Sequence, residues 1–203
     1  MNNLLRSLNA CSMRRFQLPG HPTAWVMGIV LFLYVGAEFG LGSWFSTYVR
    51  DSTDAGVFAG ALLTAGYWAA LALGRVVSGY YFARGHDASL LLAASCGAGA
   101  IAAALLALTT GNIVLSALFA FLVGLALGPV WPANIAIAAE GAVANATATT
   151  VTMGNAGGLA IPWLQGKVLV NAGPDEGVIV TSALCAAMFL IVVAFRVRRH
   201  GHF

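Results

Sequence analysis

Hydrophobic and polar positions along this chain fall into long blocks rather than into an alternating or one-faced pattern. Six stretches are almost wholly apolar: about Ala24 to Ser46, Gly56 to Tyr80, Leu90 to Leu108, Ile113 to Ala139, Ala146 to Val170 and Val178 to Phe195. Each is close to, or beyond, the roughly 20 residues that carry a helix across about 30 Å of hydrocarbon at 1.5 Å per residue. Short polar segments separate them, such as Arg50, Asp51 and Asp54, then Thr109, Thr110, Gly111 and Asn112, then Asn171, Gly173, Pro174, Asp175 and Glu176. The fourth stretch contains Gly128, Pro129 and Pro132, so it is expected to kink or unwind locally. The pattern predicts an all-α membrane protein with a leading segment 1–21, a six-helix transmembrane bundle 22–199 and a tail 200–203.

Composition strengthens that reading. The chain is 60% hydrophobic and 8% charged, with a mean hydropathy of +0.85, against about 25% charged in soluble domains. A water-soluble fold of this size could not cover its surface with so few charges. The 24 glycines suit helices that pack by close backbone approach. Cys11, Cys96 and Cys185 have neither metal-ligand nor disulfide-framework spacing and read as small packing residues. His200 and His202 make at best a weak metal pair, and no cofactor or metal site is expected.

The formal charge of +3 is carried by basic residues too dispersed for a nucleic-acid surface. Their placement sets orientation instead. Arg6, Arg14, Arg15, Arg75, Arg84, Arg196, Arg198 and Arg199 collect on one side of the six spans, and Arg50 and Lys167 on the other. Positive residues are retained on the cytoplasmic side, so both termini are expected there, in a cell (inner) membrane. The first span is expected to stay as a signal anchor, because no small-residue cleavage site follows an apolar core of the right length. The acceptor pattern Asn145-Ala146-Thr147 falls on the cytoplasmic side and is expected to be unmodified. Enzyme readings find little support: every histidine lies in a predicted loop or tail, no aspartate falls within a span, and no phosphate-binding glycine loop is present.

An internal repeat adds organisation. A shift of 88 residues lays Val35-Gly36 and Gly40 on Val123-Gly124 and Gly128, and Thr64, Gly66, Leu71 and Ala72 on Thr152, Gly154, Leu159 and Ala160. A three-span unit crosses the bilayer an odd number of times, so its second copy is inverted. Secondary transporters are built from such repeats.

Several residues in this order resemble one family. Tyr34-Val35-Gly36-Ala37-Glu38 with Gly42-Ser43-Trp44 is similar to the seventh helix of major facilitator superfamily transporters, in the sugar and fucose permease branch. Gly74-Arg75, Gly79 and Arg84-Gly85 resemble the loop motif after the eighth helix, although Ala83 stands where that motif carries an aspartate. Gly128-Pro129, Trp131-Pro132 and Glu140 resemble the tenth helix, and Gly154, Gly157, Gly158 and Pro162 the eleventh. The resemblance runs from about residue 22 onward and corresponds to the second half of a twelve-helix fold. It implies alternating-access transport of a small polar solute, a sugar among the possibilities. Because the family's path lies between two six-helix bundles, it also implies a homodimer or a separate N-terminal half as partner, besides the bilayer. The rival reading is a non-transporting membrane subunit or a truncated relic.

Glu38 is the most informative single residue, lying about 14 residues into its predicted span. An acid at a helix centre costs about 2.5–3.5 kcal/mol on insertion scales and is functional by default, through a proton, a cation or a substrate hydroxyl. Tyr34 and Gly42 flank it by one helical turn each and share its face. Trp68 and Tyr67, Trp131 and Asn134, and Asn155 and Gln165 could add stacking and hydrogen-bonding groups for a polar solute. Packing or interface roles compete for each aromatic. Arg75 and Glu140 are expected near the cytoplasmic boundary as a gating ion pair, with Arg75 reaching the headgroups as the alternative.

Overall fold

The computed structural model of the chain describes residues 22–53, 55–109, 111–140 and 145–200, with His200 by its backbone only. Expectations for segment 1–21, including Arg6, Cys11, Arg14 and Arg15, and for His202 lie outside the described residues. Among the described residues, seven helices follow one another: α1 Pro22–Ser52, α2 Val57–Ala83, α3 Ala88–Ala107, α4 Ile113–Leu127, α5 Val130–Glu140, α6 Ala146–Ala172 and α7 Pro174–His200.

The predicted elements are recovered with extended ends. α1 continues past Ser46 because nothing in Thr47 to Asp51 breaks a helix, and it closes with Ser52 and Thr53 hydroxyls donating back to the Tyr48 and Val49 carbonyls. The polar run Pro174, Asp175 and Glu176, expected as a turn, is instead the first turn of α7. Proline is preorganised for a helix start, and acids there oppose the helix dipole. Asn112 and Asp87 cap α4 and α3 with side-chain oxygens that accept from backbone N–H groups. The fourth span breaks where expected, at Gly128-Pro129, and Pro129 leaves the Leu125 carbonyl without its usual helix donor.

Five spans among the described residues are long and apolar enough to cross a bilayer: Pro22–Ser52, Val57–Ala83, Ala88–Ala107, Ile113–Glu140 and Pro174–Arg199. The remaining long helix, α6, has 27 residues but carries Thr147, Thr149, Thr150, Thr152, Asn155, Gln165 and Lys167. It tolerates this polarity because it packs along α1 more extensively than any other pair of helices in the bundle.

The repeat is visible in the packing. Shifted by 88 residues, Pro22–Ser52 becomes 110–140, against 113–140 for α4 and α5, and Val57–Ala83 becomes 145–171, against Ala146–Ala172 for α6. The first helix of each unit then packs on the second helix of the other, α1 on α6 and α4 on α2. The third helices, α3 and α7, pack on each other. These reciprocal contacts make two inverted three-helix units about a pseudo-twofold axis.

Glycine lets these reciprocal pairs close. A Cβ on Gly157 of α6 would sit 1.9 Å from the Phe32 carbonyl oxygen of α1. On the other pair, a Cβ on Gly124 or Gly128 would meet the Tyr67 or Leu71 carbonyl at 2.4 and 2.5 Å, and one on Gly74 would meet the freed Leu125 carbonyl at 2.4 Å. Buried polar side chains then donate across the helix contacts to backbone carbonyls: Tyr48 to Leu106 at 2.9 Å, Asn134 to Met27 at 3.1 Å, Gln165 to Gly177 at 2.7 Å and Ser182 to Ala100 at 2.8 Å. Such bonds serve where lipid tails provide no hydrophobic drive between helices.

Gly157→Ala is therefore expected to lower the melting transition of the detergent-purified chain, with a cost of about 1–3 kcal/mol from overpacking. Gly66→Ala, where nothing lies within 4 Å of the added carbon, is the control. Equal melting of the two variants would refute close backbone packing of α1 on α6.

Candidate functional site

The sequence places one acid in mid-span, and the fold surrounds it. Glu38 sits in α1 with its side chain 4% exposed, and Arg75 of α2 reaches it with Nη2 2.7 Å from Oε1 while keeping 44% of its own side chain exposed. The same Nη2 donates to the Tyr34 hydroxyl at 3.3 Å. Tyr34, one turn before Glu38, is also a hydrogen-bond neighbour of the carboxylate. From α2, the Tyr67 hydroxyl donates to the Glu38 carbonyl at 3.1 Å. Acid, guanidinium and two phenols thus form one network joining α1 to α2.

Aromatic rings wall this network. Trp131 of α5 lies 6.5 Å from the Tyr34 ring and is partly buried. Trp68 stands edge-on to Tyr67 at 5.4 Å and to Phe39 at 5.7 Å, filling the gap that Gly42 leaves on α1. Glu38, Tyr34, Trp131 and Trp68 are therefore brought into one neighbourhood. Asn155 is exposed on α6, and no hydrogen bond among the described residues joins it to the cluster. Asn134 and Gln165 are buried and occupied as helix connectors, Asn134 on Met27 and Gln165 on Gly177 and Thr181.

The expected pairing of Arg75 with Glu140 is not formed. Arg75 lies eight residues before the end of α2, about 12 Å of helix, and turns inward to Glu38 rather than toward the helix end. Glu140 instead receives Arg199 of α7 at 2.7 Å. Nearby, Arg196 of α7 pairs with Asp87 at 3.1 Å. Burial pushes the Asp87 carboxyl up, but hydrogen bonds from the Ser89 side chain and backbone, together with Arg196, outweigh it and hold the group below its ordinary value. That contribution to stability is present above the unfolded value and fades as pH falls through the folded one.

The remaining motif positions divide. Gly74 is a contact point between α2 and α4, whereas Gly79 is exposed with nothing within 4 Å of an added carbon. Arg84 lies over the Tyr80 ring at 4.1 Å. The ionic contact of Arg75 to Glu38 is absent from the sequence expectation, yet a depth count signals it. From the shared α1–α2 turn, Glu38 lies 14 residues from Ser52 and Arg75 lies 18 from Val57, or about 21 and 27 Å of helix, a gap that an arginine spans.

Comparison with solved structures decides the architecture. The chain superposes on an E. coli fucose:proton symporter, FucP, with a TM-score of 0.76 and 16% identity, over 85% of this chain and 42% of that one. It superposes on FucP in the outward conformation with a TM-score of 0.75 and 16% identity, over 92% and 44%. The fold is half of a major facilitator transporter. No family model matches the chain. Among curated proteins, "Bypass of stop codon protein 6" of Saccharomyces cerevisiae is 28% identical over 185 residues, covering 85% of this chain and 37% of that protein. The chain thus spans less than half the length of the relatives it matches. With this fold and its apolar spans, it is a multi-pass membrane protein.

Within this bundle, the two kinds of ion pair are expected to differ sharply. Arg75→Gln leaves a buried carboxylate without its partner and is expected to cost about 1–3 kcal/mol, whereas Glu38→Gln with Arg75→Gln recovers most of the loss. Glu140→Gln removes an exposed pair and is expected to cost under about 1 kcal/mol. Thermal melts of the four proteins test this; a Glu140→Gln loss equal to that of Arg75→Gln would overturn the assignment.

Proposed function

We propose that this chain is one bundle of a secondary transporter that moves a small polar solute by alternating access, with Glu38 and Arg75 as the coupling pair. The observation that carries the reading is a buried acid held by a half-exposed arginine in the interior of a membrane bundle. An arginine at mid-membrane costs about 2.5–3.5 kcal/mol on insertion scales and is kept facing a bundle interior or a water-filled cavity. The exposed side of Arg75 is therefore turned toward an aqueous path and not toward lipid.

Internal symmetry supports the same view. The shift of 88 residues maps Tyr34, Glu38, Tyr67 and Arg75 onto Leu122, Ala126, Asn155 and Trp163. One repeat packs without the ion pair, so the fold does not require it. The pair is a departure from symmetry confined to the unit that contains α1 and α2.

The path is completed by a second six-helix bundle, either another copy of this chain or a separate N-terminal half. The end that carries Arg84, Arg196, Arg198 and Arg199 lies in the cytoplasm, by the retention of positive charge, in the cell (inner) membrane. There Arg196 with Asp87 and Arg199 with Glu140 clamp α7 to the α2–α3 turn and to α5, so the bundle moves as one body. A sugar is among the solutes this reading admits.

The test is solute-driven proton movement in proteoliposomes that trap a pH-sensitive dye, with the chain alone and co-reconstituted with a candidate second half. Solute-evoked internal acidification that Glu38→Gln abolishes is the expected result. Acidification that survives Glu38→Gln would remove Glu38 from coupling, and no acidification in any assembly would sink the transport reading.

A further inference from the structure

We infer that the Glu38–Arg75 site takes a small monovalent organic anion, a carboxylate on an apolar or aromatic body, which replaces Glu38 on Arg75 when Glu38 takes up a proton. This deepens the transport reading above and rests on it.

The argument starts from an inventory of donors and acceptors around the pair. Arg75 uses a single nitrogen, Nη2, for both of its hydrogen bonds. Its Nε and Nη1 have no partner among the described residues, and the side chain is 44% exposed. The indole N–H groups of Trp68 and Trp131, which flank the cluster, also have no hydrogen-bond partner among the described residues. The acceptors are already committed. Glu38 is held by Arg75, the Tyr34 hydroxyl accepts from Arg75, and the Tyr67 hydroxyl is spent on the Glu38 carbonyl. Asn134 and Gln165 spend their N–H groups as helix connectors, on Met27 and Gly177; their oxygens are buried without a partner among the described residues, that of Gln165 against Gly40, and neither bonds to the Arg75 network. Around Arg75 itself, unsatisfied donors therefore outnumber free acceptors. Phe39, Trp68 and Trp131 supply apolar walls.

Charge balance leads to the same ligand. The groups that face Glu38 are Tyr34 on its own helix and Arg75 and Tyr67 on α2, with Cys185 of α7 within electrostatic range of Tyr67. Arg75 is the one permanent charge among them. With Glu38 ionised, the pair is neutral and Arg75 is occupied. A proton arriving from water on the Glu38 carboxylate breaks the ion pair and leaves one uncompensated guanidinium in a low-dielectric setting. A carboxylate entering from the same side accepts the released N–H donors in the forked geometry that guanidinium favours. One proton and one anion enter together and the site returns to neutrality. A neutral sugar would leave the arginine charge uncompensated at that step.

The experiment uses the full chain purified in detergent, with tryptophan fluorescence as the readout and benzoate as the probe. Benzamide is the neutral isostere, and fucose the neutral polyol. Glu38 competes with the probe for Arg75, so removing its charge raises the competent fraction. Glu38→Gln is expected to bind benzoate at least about tenfold more tightly than the natural chain, with affinity unchanged between about pH 6 and pH 8. Glu38→Gln with Arg75→Gln, which removes both charges and spares the fold, is expected to lose benzoate binding. Benzamide and fucose are expected to leave the fluorescence unchanged.

Benzoate binding that survives the double substitution, or that Glu38→Gln fails to tighten, would overturn the inference. Fucose binding that depends on Glu38, without benzoate binding, would overturn the anion class and leave the transport reading standing. Benzoate binding as expected, with no solute-driven proton movement in any assembly, would sink the transport reading and keep the anion site.

Discussion

Helices surrounded by hydrocarbon gain nothing by hiding apolar side chains from one another, so cohesion depends on how closely their backbones approach. In this chain that approach is set by carbonyl oxygens meeting glycines. The Phe32 carbonyl faces Gly157, the Tyr67 and Leu71 carbonyls face Gly124 and Gly128, and the Leu125 carbonyl, released by Pro129, faces Gly74. The pairs α1–α6 and α2–α4 are the two copies of one contact generated by the inverted repeat. Everything else in the bundle is arranged around them. α3 and α7 meet behind, and Tyr48, Asn134, Gln165 and Ser182 each spend a donor on a carbonyl of a neighbouring helix.

Close approach of α2 to α4 has a consequence for chemistry. Gly74 fixes the rotation of α2 against α4, and the next residue, Arg75, is thereby aimed across α1 at Glu38. A bulkier residue at Gly74 would displace α2 from Leu125 and Gly128 and carry the guanidinium with it. Gly74 and Arg75 are in this sense one device: the first sets the distance and the second uses it. Asymmetry between the repeats then confines ionisable chemistry to one side of the pseudo-twofold axis, with Leu122, Ala126 and Trp163 filling the equivalent places on the other.

Much of this was legible in the sequence because hydrocarbon thickness is a severe constraint. Runs of apolar residues announced the spans, Gly128-Pro129 announced the break, and the constant shift of 88 residues announced the repeat. Helix ends were harder to read. Ser52 and Pro174 look like turn residues, but a back-bonding hydroxyl and a preorganised proline both serve the end of a helix equally well. Glu38, Tyr34, Trp131 and Trp68 were readable as a group because spacing along α1 and polarity in mid-span are local signals. Arg75 was misassigned to Glu140 because charge near a predicted boundary was taken to stay there, whereas the depth of each residue along antiparallel helices pairs it with Glu38. Asn134 and Gln165 are harder to place: an amide in a membrane helix satisfies a neighbouring carbonyl as readily as a solute, and composition does not distinguish the two.

The exposure of Arg75 sets it apart from the rest of the network. Glu38 is almost fully enclosed by this one bundle, yet the arginine that neutralises it is nearly half open. A bundle meant to face lipid on that side would have to bury the guanidinium completely or replace it. A bundle facing a second one across water would leave it as it stands. The same applies to α6, whose exposed Asn155 and Thr152 would be costly against acyl chains and inexpensive against an aqueous seam. Polar groups are therefore left open on α2 and α6, the second helix of each repeat, and the ion pair at Glu38 lies beneath the one on α2.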